Sequence, residues 1–161
     1  MTEVPSAGRT SGSLNEPFPP PAASVGALFF DRVEKSANRE AFRKPTADGG
    51  WRSYTWQQTK DEVVELAAGL IAEGLGLEDR VAIASNTRLD WILADLSIMC
   101  AGGANTTIYP NTQPEDVGFI LSDSDSVILI AEDDTQVAKV QEIRDEVPHL
   151  RRIVLMDGEG D

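Results

Sequence analysis

The chain has 161 residues, enough for one domain with a single core, and 41% of them are hydrophobic. Lys and Arg number 14 against 27 Asp and Glu, and the resulting charge of −13 would repel nucleic acid and anionic membrane, so neither is expected as a partner. A single cysteine excludes an internal disulfide, a single histidine argues against a Ser-His-Asp triad or a His-rich metal site, and no apolar run approaches the ~20 residues of a membrane span.

Residues 1–23 are rich in Pro, Ser and Gly and hold few large apolar groups. Such a segment buries too little surface to offset its ordering entropy, and a disordered leader is expected there. It carries no charged stretch followed by an apolar one, so no signal peptide is read and a cytoplasmic location is expected. From Ser24 the spacing predicts a helix with Val25, Leu28, Phe29 and Val33 on one face. "EAFRKPTADGGWRSYT" predicts two short strands around an Ala-Asp-Gly-Gly turn, at a margin of the main sheet. Thr55 to Gln58 reads as a capping box opening a helix to about Glu73, with Val63, Leu66, Ala67, Leu70 and Ile71 as its apolar stripe and Gly74 and Gly76 ending it.

An alternation then sets the fold class. "RVAIAS", "NTTIY", "SVILIAE" and "LRRIVLMD" read as strands, and between them lie helices: one capped at Thr87, one from Pro114 and one from Asp134 to Val147. Unbroken apolar strands are covered on both faces, as in a parallel sheet. Helices of ten or so residues between them suit crossover connections. The expected fold is α/β, a mostly parallel sheet covered by helices on its two faces.

In such a sheet ligands bind beyond the carboxyl ends of the strands. Three ends are on offer: Ser85 to Thr87, Tyr109 to Gln113, and Glu132 to Asp134. The middle one is the most informative. Pro114 suits the first turn of a helix, Thr112 or Gln113 is the expected cap, and Glu115 follows Thr112 at capping-box spacing. The loop offers the ring of Tyr109, a stiff Pro110, and the polar Asn111 and Thr112. Either it meets a nucleotide-bearing ligand, or Tyr109 simply packs on a neighbour. Glu115 and Asp116 would oppose an anion.

The other polar groups read as structural. "SDSDS" lacks the Gly and closing Glu of a calcium loop and is taken as a solvated turn. Cys100, in an apolar helix, is taken as a buried thiol and Trp91 as a packing residue. No Gly-rich phosphate loop with a following Lys occurs.

"DRVAI", "SNTRLDWILADLSI", "AGGANTTIYPNTQPEDVGFIL" and "SVILIAE", in this order and spacing, make Ser24 to Asp157 resemble the N-terminal part of the adenylate-forming (AMP-binding) acyl-CoA synthetases. Long-chain fatty acid–CoA ligases are the most similar branch. The resemblance implies the N-terminal subdomain of that fold, in residues 24–161. It implies a ligase that turns fatty acid and ATP into an acyl-adenylate and pyrophosphate with Mg²⁺, then passes the acyl group to CoA. The family's phosphate loop with Lys, its acidic ATP and Mg²⁺ motif, its ribose-binding Asp and its C-terminal Lys have no match here. No catalytic residue or metal ligand is therefore assigned, and the chain is expected to be incomplete and inactive alone. The complete enzyme would be cytoplasmic, with room for peripheral membrane association.

One site follows from the resemblance: Tyr109, Pro110, Asn111 and Thr112 stand where relatives place a loop facing the nucleotide part of CoA. The rival reading is a free-standing α/β binding or regulatory module, for instance receiver-like, although Ser85, Tyr109-Pro110 and Glu132 do not supply a receiver's acidic cluster and Lys. A third is an interaction domain with an exposed apolar face.

Overall fold

The computed structural model describes residues 21–158, so most of the expected leader lies outside the described residues. Helix α1 (Val25–Ser36) starts at Ser24, whose hydroxyl accepts from the Ala27 N–H as an N-cap should. Strands β1 (Glu40–Pro45) and β2 (Trp51–Thr55) pair antiparallel as a sheet of their own and not as a margin of the main one. Thr55 then caps α2 (Trp56–Ala72) in a full capping box with Gln58. Gly74 leaves that helix at φ 91°, a left-handed conformation that suits glycine.

The main sheet has the order β4-β3-β5-β6, all parallel, built from β3 (Arg80–Ala84), β4 (Ala104–Ile108), β5 (Ser126–Ala131) and β6 (Arg152–Leu155). Between the strands run α3 (Leu89–Cys100), α4 (Pro114–Asp123) and α5 (Asp134–Glu142), the last followed by a short 3-10 turn from Arg144 to Glu146. α5 is thus shorter than the 134–147 segment the sequence suggests, because the chain tightens after Ile143.

Side chains alternate across the strands as a pleated backbone requires. Ala82, Ala84, Leu129 and Ala131 face α4 and α5, where they pack with Val117, Leu121, Val140 and Ile143. Val81, Ile83, Ile128 and Ile130 face the other way, onto Leu70 of α2 and Ala94 and Ile98 of α3. Apolar side chains on both faces of β3 and β5 explain why these strands read as continuous apolar runs. A third cluster joins α1 and the hairpin to α2 and α3 through Phe29, Val33, Tyr54, Val63, Leu89 and Leu93.

Two apolar stripes are only partly as the spacing suggests. On α1 the buried positions are Gly26, Phe29, Val33 and Ser36, and Val25 and Leu28 lie exposed. On α2 Leu66 and Ile71 are exposed, while Thr59, Val63, Ala67 and Leu70 are buried. Each helix presents one narrow face to its neighbours, and the flanking apolar residues fall beyond it. No helix among the described residues is long and apolar enough to cross a membrane.

Candidate functional site

The strand order places a topological switch point between β3 and β5. From β3 the chain moves to β4 on one side, and from β5 to β6 on the other, so the loops after these strands diverge and leave a crevice. The chain's own side chains fill that crevice. Glu132, after β5, accepts hydrogen bonds from the Asn86 N–H at 2.7 Å and from Asn86 Nδ2 at 2.9 Å. Arg88 lies 3.5 Å from the same carboxylate, donates to Asp90 at 2.7 Å and is bonded to Asp157 after β6. Lys44 of β1 reaches Asp90 at 2.9 Å and so ties the hairpin to the start of α3.

Electrostatics follow the contacts. The Asn86 N–H foremost, with the Asn86 side chain and Arg88 and against the opposing effect of burial, holds the Glu132 carboxyl below its ordinary value. Burial alone would raise Asp90, but hydrogen bonds from Lys44 and Arg88 outweigh it and hold Asp90 low. The Asp157 carboxylate, followed by Asp90, raises the Arg88 guanidinium further above its already high value. Two cations and three carboxylates satisfy one another here, which makes the cluster a clamp on the carboxyl edge of the sheet and not an open anion site.

Tyr109 to Thr112 lies at the end of the outer strand β4, apart from this clamp. The Thr112 N–H donates to the Tyr109 carbonyl at 3.0 Å, closing a turn in which Pro110 occupies the position that suits its fixed φ. The strand stops at Ile108, so Tyr109 belongs to the loop, and 72% of its surface is exposed. It does not pack away on a neighbour. Two residues of α5 pin the turn: Lys139 Nζ donates to the Pro110 carbonyl at 2.5 Å and Gln136 Nε2 donates to it at 3.2 Å. Lys139 also donates to Gln136 Oε1 at 3.1 Å, which leaves one of its three N–H groups for a ligand. Asp133 caps α5 by accepting from the Gln136 N–H, and that cap sets where the two side chains point.

Of the two expected caps of α4 the chain uses Gln113, with Pro114 in the first helical turn as expected, but the capping box is absent. Gln113 occupies the cap without a side-chain bond, and Thr112 lies before it. Arg88, not Thr87, precedes α3, drawn there by its carboxylate partners. The first turn of α4 therefore keeps free N–H groups but also bears Glu115 and Asp116.

Of the residues read as structural, Cys100 is only partly buried and not enclosed. Trp91 packs half-buried against the α2/α3 side of the sheet, and burial pushes the Cys100 thiol up, away from a reactive thiolate. Asp125 turns the chain at φ 50° and faces Arg80 at 3.5 Å. Among the described residues no three His, Cys, Asp or Glu side chains come close enough to hold a metal. Arg88, Asp90, Lys44, Gln136 and Lys139 escaped the sequence reading. Their pairings span from 2 to 69 positions, and only the Gln136–Lys139 spacing on one helix carried a local signal.

The sequence profile described as "AMP-binding enzyme" matches residues 29–161. The long-chain-fatty-acid–CoA ligase FadD15 of Mycobacterium bovis is 31% identical over 137 residues, 85% of this chain and 23% of the relative. Its counterpart in Mycobacterium tuberculosis matches to the same extent. Among solved structures, a Mycobacterium tuberculosis fatty acyl CoA synthetase superposes with a TM-score of 0.75 at 22% identity, over 83% of this chain and 26% of that one. The chain thus spans about a quarter of the length of the proteins it matches.

Proposed function

Because the chain belongs to the AMP-binding enzyme family, we propose that it supplies the CoA-facing loop of a long-chain fatty acid–CoA ligase. The whole enzyme joins fatty acid and ATP to an acyl-adenylate with release of pyrophosphate, and CoA then takes the acyl group and releases AMP. The reading of the substrate class rests on one observation, the alignment with long-chain ligases across 85% of this chain.

The residues present fit CoA in part. Tyr109 offers an exposed ring against which an adenine can stack, and Lys139 offers an unspent N–H beside it for a phosphate oxygen. Pro110, held by Lys139 and Gln136, keeps the turn in place, and Asn111 and Thr112 add polar groups at its rim. These side chains bind and orient. They do no covalent chemistry, and no catalytic residue is assigned to this chain.

ATP and Mg²⁺ belong to the same reading of the whole enzyme, but the described residues give them no seat. There is no Gly-rich loop followed by Lys and no acidic cluster of metal-ligand size among them. The 161 residues given ATP, palmitate, CoA and Mg²⁺ are therefore expected to form no palmitoyl-CoA, and turnover by the pure chain would overturn that part of the reading. Calorimetric titration of CoA tests the loop. Binding by the chain, lost on Tyr109→Ala and weakened on Lys139→Glu, is expected; the same heats from all three proteins would remove the loop as a site.

A further inference from the structure

The polar side chains buried among the described residues are Ser and Thr, with one exception: Gln136, of which only 6% is exposed. A hydroxyl is small, but a buried carboxamide must find partners for both of its ends. Gln136 Nε2 donates to the Pro110 carbonyl at 3.2 Å, and Oε1 accepts from Lys139 Nζ at 3.1 Å. A carbonyl only accepts and an ammonium only donates, so these two partners fix which way the amide points. A glutamate of the same shape would offer Pro110 no donor and would bring a negative charge to Lys139.

Lys139 closes the triangle by donating to the same Pro110 carbonyl at 2.5 Å. It makes no ion pair among the described residues, although Glu142 follows it by three positions on α5, a spacing at which opposite charges can meet. Helical side chains lean toward the N-terminus of their helix, which turns Lys139 away from Glu142 and toward Gln136. Two neutral oxygens thus hold the ammonium in place, and neither cancels its charge.

We infer that Gln136 is a positioning residue for the anionic part of CoA: it aims the Lys139 ammonium at the Tyr109–Thr112 turn and, being neutral, leaves that charge for a phosphate. The inference rests on the reading of Tyr109 to Thr112 as a CoA-facing loop. Gln136 acts through Lys139 and the turn, and does nothing at the reacting atoms.

The test titrates CoA calorimetrically into the 161-residue chain and its variants at about 0.05 and 0.2 M salt, where screening differs. Gln136→Glu is expected to lose roughly tenfold in affinity and most of the salt dependence. Gln136→Met drops both hydrogen bonds without adding a charge, so it should lose less and keep the salt dependence. Thr135 is exposed and lies four positions before Lys139, so Thr135→Glu brings a carboxylate to the same ammonium without burying it. That variant should weaken binding as Gln136→Glu does, and Thr135→Gln should not. Circular dichroism shows that each variant is folded, and the Thr135 pair decides if Gln136→Glu is not. If Tyr109→Ala and Lys139→Glu leave CoA binding unchanged, the loop is not the site and the inference falls with it. If they weaken binding but a folded Gln136→Glu or Thr135→Glu does not, the inference alone is overturned. Equal losses for Gln136→Glu and Gln136→Met at both salt concentrations, or for Thr135→Glu and Thr135→Gln, would overturn it as well, since Gln136 would then only brace the turn.

Discussion

Replacing Asp95 by Asn should make the protein more stable, for a reason visible at the junction of α3 and β4. Asn105 Nδ2 donates to Asp95 Oδ1 at 2.8 Å, while Asn105 Oδ1 is buried with no hydrogen-bond partner. Burial pushes the Asp95 carboxyl up, so folding disfavours its charged form. The amide introduced by Asp95→Asn keeps an acceptor for Nδ2 and brings a donor for the orphaned oxygen. A buried unsatisfied acceptor costs about 1–3 kcal/mol, and because this pair is only part-buried the lower end applies, about 1 kcal/mol. For a chain of this size that corresponds to a Tm higher by roughly 3 °C. A raised carboxyl contributes stability at low pH that is lost as pH rises through its folded value. The gap between the proteins should therefore be full at pH 7.5 and close at pH 3.5, where the protonated acid can itself donate to Asn105. Urea melts at the two pH values read this directly. A destabilised variant at pH 7.5, or a gap that ignores pH, would refute the reasoning.

The carboxylate clamp predicts the opposite dependence. Glu132 is held low, so its contribution is full above the ordinary Glu value and is lost as pH falls through the depressed folded value. Glu132→Gln should accordingly lower stability by about 1 kcal/mol at pH 7, the size of a hydrogen bond near solvent, with the deficit shrinking as pH falls below the ordinary Glu range in denaturant melts. Leu121 is fully buried between α4 and the sheet, and Leu121→Ala should cost about 2–5 kcal/mol, read as a lower urea midpoint with an unchanged slope.

Much of the architecture was legible in the residues themselves. The apolar runs of β3 and β5 and the capping box at Thr55 are local signals, and each forms as its spacing implies. The α/β class follows from the alternation of those runs with helices. The independence of the β1–β2 hairpin was not legible, because Phe42 and Tyr54 find their partners on α1, α2 and α3, which are distant in sequence. Nor was the Arg88 clamp, whose carboxylates at 132 and 157 are brought to Arg88 and its neighbour Asp90 only by the strand order. The loop at Tyr109 shows the same division. Its turn chemistry is written in Pro110, but the Lys139 that pins it comes from the next crossover helix.

The most direct test of the account is a chimera in which residues 29–161 replace the matching segment of the Mycobacterium tuberculosis FadD15 relative. Palmitoyl-CoA formation is measured with each substrate varied in turn. The account predicts an active chimera in which Tyr109→Ala with Lys139→Glu raises KM for CoA roughly tenfold, a loss of ~1.4 kcal/mol, and leaves KM for ATP and palmitate alone. A folded chimera that makes no thioester, or one whose KM for CoA does not respond to the two substitutions, would contradict it.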